Sequence, residues 1–304
     1  MSHELHPGIK IGPEISWKEK LEATRTQYCE VWYRVDWELK YEEMFAYLLK
    51  NQIHTGLHYW AMIDRTYMPN LAYPDPSIWR PTLETMKQNI DVAAKHAFAY
   101  VNIHIGNFAL VAHNLDKHTI ACVQNSEVDP LLAAKTFEEH VQTLHEYAEK
   151  KRVKLIVENI PPYNSKLEGH HEEVVPAYAL DSHVLEDIAK RVGLHTNLDL
   201  GHMMAEAPVQ TAEGLSNYLF ERAKVLQPYT ALIHANTNIE PFTRTDSHDG
   251  ITDDDFARNV VPTKNQLIAL LKLFTAQNDV WVVNEPKNQH IENYHALVAI
   301  LNQL

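Results

Sequence analysis

LHTNLDLGHMM, residues 194–204, holds an apolar, strand-like run that stops at Asp199 and sets His202 three residues further on. Two readings compete for such a stop. A strand meeting water can use its last polar side chains to cap the next helix. Alternatively, the carboxylate and the imidazole are metal ligands delivered by the end of a buried strand. The rest of the chain has to decide.

The pattern recurs along the whole sequence. Short apolar, β-branched runs occupy 9–16 (IKIGPEIS), 28–35 (YCEVWYRV), 54–60 (HTGLHYW), 99–105 (AYVNIHI), 153–160 (VKLIVENI), 195–200 (HTNLDL), 230–236 (TALIHAN) and 279–286 (DVWVVNEP). Between them lie helical segments such as 81–97 and 131–151, whose apolar residues recur at spacings of three and four. Eight strands, each followed by a helix, predict a parallel sheet closed into a (β/α)8 TIM barrel, one domain over residues 1–304. Helices pass into the next strand with little between, as in EKKRVKLIV (149–157), whereas long stretches at 61–77, 106–129, 160–182 and 237–262 follow strands. In such a barrel those long loops share the C-terminal face of the strands, where the active site sits.

The polar residues expected on that face form a set. Strands three to eight end in His58, His104, Glu158, Asp199 with His202 after it, His234 and Glu285, and the seventh loop adds Asp246 and His248 in RTDSHDGI (244–251). Each has an ordinary explanation alone. His104 fits a hydrogen-bonded core histidine, Glu158 or Glu285 a helix N-terminus, and Asp246 and His248 a solvated acidic loop. Together they do not, because parallel strands buried on both faces read as unbroken apolar runs, and charge placed there must be paired or must bind a metal. Nitrogen and carboxylate donors without thiolate suit zinc, manganese or iron(II).

Composition narrows the partners. The formal net charge is −13, from 40 acidic and 27 basic residues, and repels polyanions. Acids that serve as ligands are offset by bound cations which this arithmetic omits. The two cysteines, Cys29 and Cys122, have no CxxC spacing and read as free thiols. No apolar run approaches the ~20 residues that span a bilayer, so a cytoplasmic protein without a membrane partner is expected. Among the 19 histidines, His3, His140 and His290 read as ordinary solvated residues, as do His170 and His171.

From IKIGPEIS to VVNEPK the chain resembles the xylose-isomerase-like TIM barrels, a family that holds endonuclease IV together with sugar isomerases and epimerases. The shared core is a Glu, Asp, His, Glu quartet on strands five to eight, matched by Glu158, Asp199, His234 and Glu285. The endonuclease IV branch adds five ligands, each with a counterpart. The resemblance implies that His58 and His104 join Glu158 on one zinc, and that Glu158 bridges to a second held by Asp199, His234 and Glu285. His202, with Asp246 and His248, would hold a third. The chain departs from endonuclease IV in its second loop, where WYRVDWELKYEE (32–43) sets Arg34 and Lys40 among acids in place of a longer basic loop for entering DNA. That disfavours nucleic acid. The inserts at 106–129 and 160–182 instead enlarge the rim, as a lid over a small substrate would.

Three chemistries follow. Clustered divalent ions suit hydrolysis of a phosphate ester, with a small phosphorylated compound as substrate. A single manganese-type ion suits a sugar isomerase or epimerase, with Glu158 and Glu285 as catalytic acid–base pair and His202 on the sugar oxygens. Iron in the same donors would suit an oxidation. A sugar-binding scaffold without chemistry is the bland alternative. Lys287, Arg244 and Tyr163 are candidate phosphate contacts, Lys287 first among them.

Overall fold

The computed structural model describes residues 5–167, 170–245, 247–276 and 279–304. Eight parallel strands close a barrel: β1 (Leu5–Ile11), β2 (Tyr28–Tyr33), β3 (His54–Tyr59), β4 (Tyr100–His104), β5 (Lys154–Glu158), β6 (His195–Asp199), β7 (Thr230–His234) and β8 (Val280–Asn284). Each pairs with its neighbours in sequence, and β8 returns to β1 through Leu5 opposite Val280 and Ile9 opposite Asn284. The expected (β/α)8 architecture is therefore present. β1 lies earlier than the 9–16 expected, because Pro13 and the turn after Ile11 end the ladder there.

The period-two alternation of a strand explains both cores. One set of residues points outward: Ile9 and Ile11, Val31 and Tyr33, Leu57 and Tyr59, Val101 and Ile103, Leu155 and Val157, then Leu198, Ile233 and Val282. They pack with the helices in two large buried clusters. The alternate residues point into the barrel. Low in the barrel these are Tyr100, Ile156, Leu232 and Val283, which with Ala231 and Trp281 form a separate apolar plug. One pleat repeat higher stand Asn102, Glu158, His234 and, just past the end of β8, Glu285, with His104 two repeats above Tyr100, so the floor of the site is apolar and its walls are polar.

The helices start where the local chemistry directs. Pro76–Lys95 and Pro130–Lys151 both begin on an Asp-Pro pair, with Asp75 accepting from the Ser77 N–H at 2.8 Å and Asp129 from the Leu131 N–H at 2.7 Å. An acceptor at the N-cap and proline at the first helical position satisfy an open end. This places the first of them earlier than the 81–97 expected, with Pro81 inside its first two turns.

Three of the long loops have structure of their own. Val111–Asn114 and Thr119–Cys122 from the loop after β4 join Tyr163–Leu167 and His170–Pro176 from the loop after β5 in a four-stranded antiparallel sheet. Ile120, Tyr163 and Asn164 of this sheet line the cavity over the barrel mouth. After β7, Asn238–Ile239 pairs with Val260–Val261. Among the described residues no helix is long and apolar enough to cross a membrane.

One glycine is set by close approach. A Cβ on Gly56 would stand 2.0 Å from Cζ of Tyr100, whose ring crosses the barrel interior. Gly56→Ala is therefore expected to destabilise the protein by about 1–3 kcal/mol through overpacking, seen as a lower urea midpoint with an unchanged slope.

Candidate metal centre

The strand ends bring six of the expected residues together. His58 Nε2 lies 3.2 Å from His104 Nε2, and these nitrogens are each 3.7 Å from Glu158, one from each carboxylate oxygen. On the other side of Glu158, His234 Nδ1 is 3.5 Å from Oε1, 3.3 Å from Asp199 Oδ2 and 3.2 Å from Glu285 Oε2. Donors held ~2.0–2.2 Å from one ion are roughly 3–3.5 Å from each other, which is close to the spacing found in both groups. Among the described residues three groups could hold an ion: His58, His104 and Glu158; Glu158, Asp199 and His234; and Glu30, His58, His234 and Glu285.

Glu158 is the shared member and is fully buried. Its Oε2 accepts from Asn102 Nδ2 at 2.5 Å and Asn197 Nδ2 at 2.8 Å. Its Oε1 accepts no hydrogen bond from any described residue, although His202 Nδ1 lies 3.3 Å away. A buried carboxylate oxygen in that condition is costly, and an ion between it and the surrounding nitrogens resolves it. The donor set therefore fits divalent metal.

The expected third group is partly visible. His202 is buried, with Nδ1 against the Asn159 carbonyl at 2.8 Å, and its ring centroid is 5.9 Å from that of His248. The Glu285 carbonyl holds His248 Nδ1 at 2.7 Å. Asp246 lies outside the described residues, as do the side chains of His170 and His171.

Two charged residues join that the strand-end search missed. Lys10 on β1 is paired with Glu285 Oε1 at 2.5 Å and Glu30 Oε1 at 3.2 Å, and it also touches His58 Nδ1. Glu30 on β2 is fully buried, 2.9 Å from His234 Nε2 and 3.2 Å from His58 Nδ1, and it accepts the Tyr100 hydroxyl at 2.9 Å. Both carry the signal that found the others, a lone charge flanked by apolar residues in a strand. Glu30 sits in the middle of β2, and Lys10 stands second in the run expected at 9–16, far from its end, although the observed β1 stops one residue later.

A model of the family described as xylose isomerase-like TIM barrel matches residues 21–290. The chain belongs to that family. No curated protein matches it in sequence. Among solved structures, D-allulose 3-epimerase from Methylomonas sp. is similar at 12% identity and a TM-score of 0.64, over 99% of this chain and 97% of that one. D-psicose 3-epimerase from Clostridium cellulolyticum gives 14% and 0.59 over 100% and 95%. Endonuclease IV from Thermus thermophilus gives 14% and 0.59 over 98% and 100%. At these identities the likeness is one of fold.

Within this xylose isomerase-like barrel the donor groups open into space. A cavity of about 220 Å³ is lined by His58, His104, Glu158, His202, His248 and Glu285. It shares Trp32, Asn164, His248 and Glu285 with an outer cavity of about 820 Å³, which Lys10, Lys40, Tyr163 and Lys287 also line. Arg244 lies over the Tyr163 ring at 5.6 Å. Of the cations in the short second loop, Arg34 is buried between Trp37 and Trp60, at 4.2 and 4.4 Å, and paired with Asp36; Lys40 lies 3.8 Å over Trp37.

Electrostatics orders the cluster. Burial would raise each carboxyl pKa, but His234 and Lys10 hold Glu30, and His234 and His58 hold Glu158, well below the usual range. Against the same burial, Lys10 brings Glu285 down to about 2. Burial and then Lys10 lower His58, whereas for His234 the attraction of Glu30 and Glu158 outweighs burial and raises it well above its ordinary value. A carboxyl depressed on folding binds fewer protons in the native state than in the unfolded chain, whose value is ~4.3, so it stabilises above that pH and the contribution fades below it. His234 adds nothing to this acid slope, since it is protonated in both states there. Metal-free protein is expected to lose stability progressively as pH falls from about 5 toward 2, and Glu30→Gln to flatten that slope, as read from urea midpoints at pH 7, 5 and 3.5.

Proposed function

We propose that this chain is a divalent-metal-dependent hydrolase acting on a phosphate ester of a small substrate. The observation that carries the reading is Glu158, a single buried carboxylate shared by two donor groups, as a multinuclear centre requires. His58, His104 and Glu158 would hold one ion, and Glu158, Asp199, His234 and Glu285 a second, with zinc best suited to the donors and manganese or iron compatible. His202 and His248, with Asp246, are the proposed third group. Ions bound there supply Lewis acidity toward phosphoryl oxygens and lower the pKa of water.

The chain's own groups supply the rest. Glu285 reaches the cavity, its side chain 22% exposed against none for Glu158, and Lys10 keeps it ionised, so it can orient a water by accepting its hydrogen bond. Lys10 steadies it and adds positive charge to the wall of the outer cavity. Lys287 lines the approach as a contact for the anionic group. The antiparallel sheet restricts that approach and limits entry of solvent. A small substrate is favoured over DNA because Arg34 and Lys40 are engaged on tryptophan faces and the net charge is −13.

A second reading has its own support. Glu158 and Glu285 both line the inner cavity, so two carboxylates could face one carbon of a sugar bound there, as a two-base proton exchange in an epimerase needs.

Protein prepared without chelator is expected to carry at least two ions per chain by plasma mass spectrometry and to cleave members of a phosphomonoester and phosphodiester panel. Glu158→Gln should lower kcat/KM by more than ~100-fold, since loss of outer partners alone costs ~10–100-fold. A single ion per chain, no phosphate release, and deuterium uptake from solvent into a ketose would together replace the hydrolase with the epimerase.

A further inference from the structure

The donor groups meet at Glu158 on one side, and a second carboxylate meets their histidines from the other. Glu30 Oε1 lies 3.2 Å from His58 Nδ1 and 2.9 Å from His234 Nε2. Those two rings stand on opposite flanks of it, from β3 and β7, with centroids 5.6 Å apart and planes 28° from parallel. In each ring the nitrogen toward Glu158 is the other one, Nε2 of His58 and Nδ1 of His234. A neutral imidazole carries its proton on one nitrogen and its lone pair on the other. A carboxylate only accepts, so a ring that gives its N–H to Glu30 turns its lone pair toward Glu158.

We infer that Glu30 acts as a positioning residue common to the two donor groups that share Glu158, and not as a ligand itself, setting the tautomer and orientation of His58 in one and His234 in the other. The inference rests on reading those groups as metal positions. Carboxylates behind ligating histidines fix ring orientation and raise ligand basicity; here one oxygen serves two histidines. Glu30 is itself held. Tyr100 donates to Oε2 at 2.9 Å, and Lys10 sits 3.2 Å from Oε1. Lys10 also touches His58 Nδ1, and its ammonium can only donate. When His58 ligates through Nε2 its Nδ1 bears the proton, so Glu30 is the neighbour that receives it, and Lys10 keeps its bond to Glu285.

Zinc titrations of metal-free protein against a chromophoric chelator test this. Glu30→Gln keeps the shape and removes the charge; it should weaken both zinc ions by about 10–100-fold. Weakening of one ion alone, or of neither, overturns the inference. Should that variant not fold, ¹⁵N–¹H correlation of the histidine rings in the zinc-loaded wild type decides. Protons on His58 Nδ1 and His234 Nε2 support it, and the opposite tautomer in either ring overturns it. Two zinc ions in the wild type with an unaffected Glu30→Gln would remove this inference and leave the hydrolase reading standing. Fewer than two in the wild type would remove the multinuclear reading, and this inference with it.

Discussion

A carboxylate taken wholly out of water must have its charge answered nearby, and Glu158 is placed where only imidazoles and amides can answer it. Asn102 and Asn197 satisfy one oxygen, and the other is left facing nitrogens. Neighbouring strands converge on that oxygen pair because the register sets His104 opposite Glu158 on β4 and β5, and Asn197 opposite Glu158 on β6. The barrel's closure, its alternation and the polar upper layer are thus one arrangement. A slip of a single residue in β5 would turn Glu158 into the helix layer and leave the histidines without their common partner.

Charge is out of balance at this centre in a way the whole-chain value does not convey. Glu30, Glu158, Asp199 and Glu285 meet there, and Lys10 with the readily protonated His234 answers only part of their charge. Bound cations are the natural complement. Lys10 is the permanent member of that complement. It ties the carboxylate nearest the cavity, Glu285, to the deeply buried Glu30.

Much of this was legible in the sequence for one reason: the strands after the first were recognisable, and a charge at the end of a buried strand has few ordinary explanations. His58, His104, Glu158, Asp199, His234 and Glu285 all announced themselves in that way, and they lie in contact distance of one another. Lys10 and Glu30 did not, because a mid-strand charge reads equally well as an outward-facing residue until the pleat is known. Tyr100 was hidden among apolar neighbours, and its role depends on Gly56, whose missing side chain lets the ring lie across the barrel. The four-stranded sheet was read as loop, since its strands are short, polar and drawn from two separated inserts whose pairing no local pattern reveals.

That sheet divides the pocket between two parts of the chain. The floor and walls of the pocket belong to the barrel, where nearly every residue is committed to packing or to the charge cluster. The roof is assembled from hairpins contributed by two adjacent βα connections and meets the barrel chiefly at its rim. Substitutions in the roof can therefore alter the width and polarity of the mouth without disturbing the buried charges beneath it.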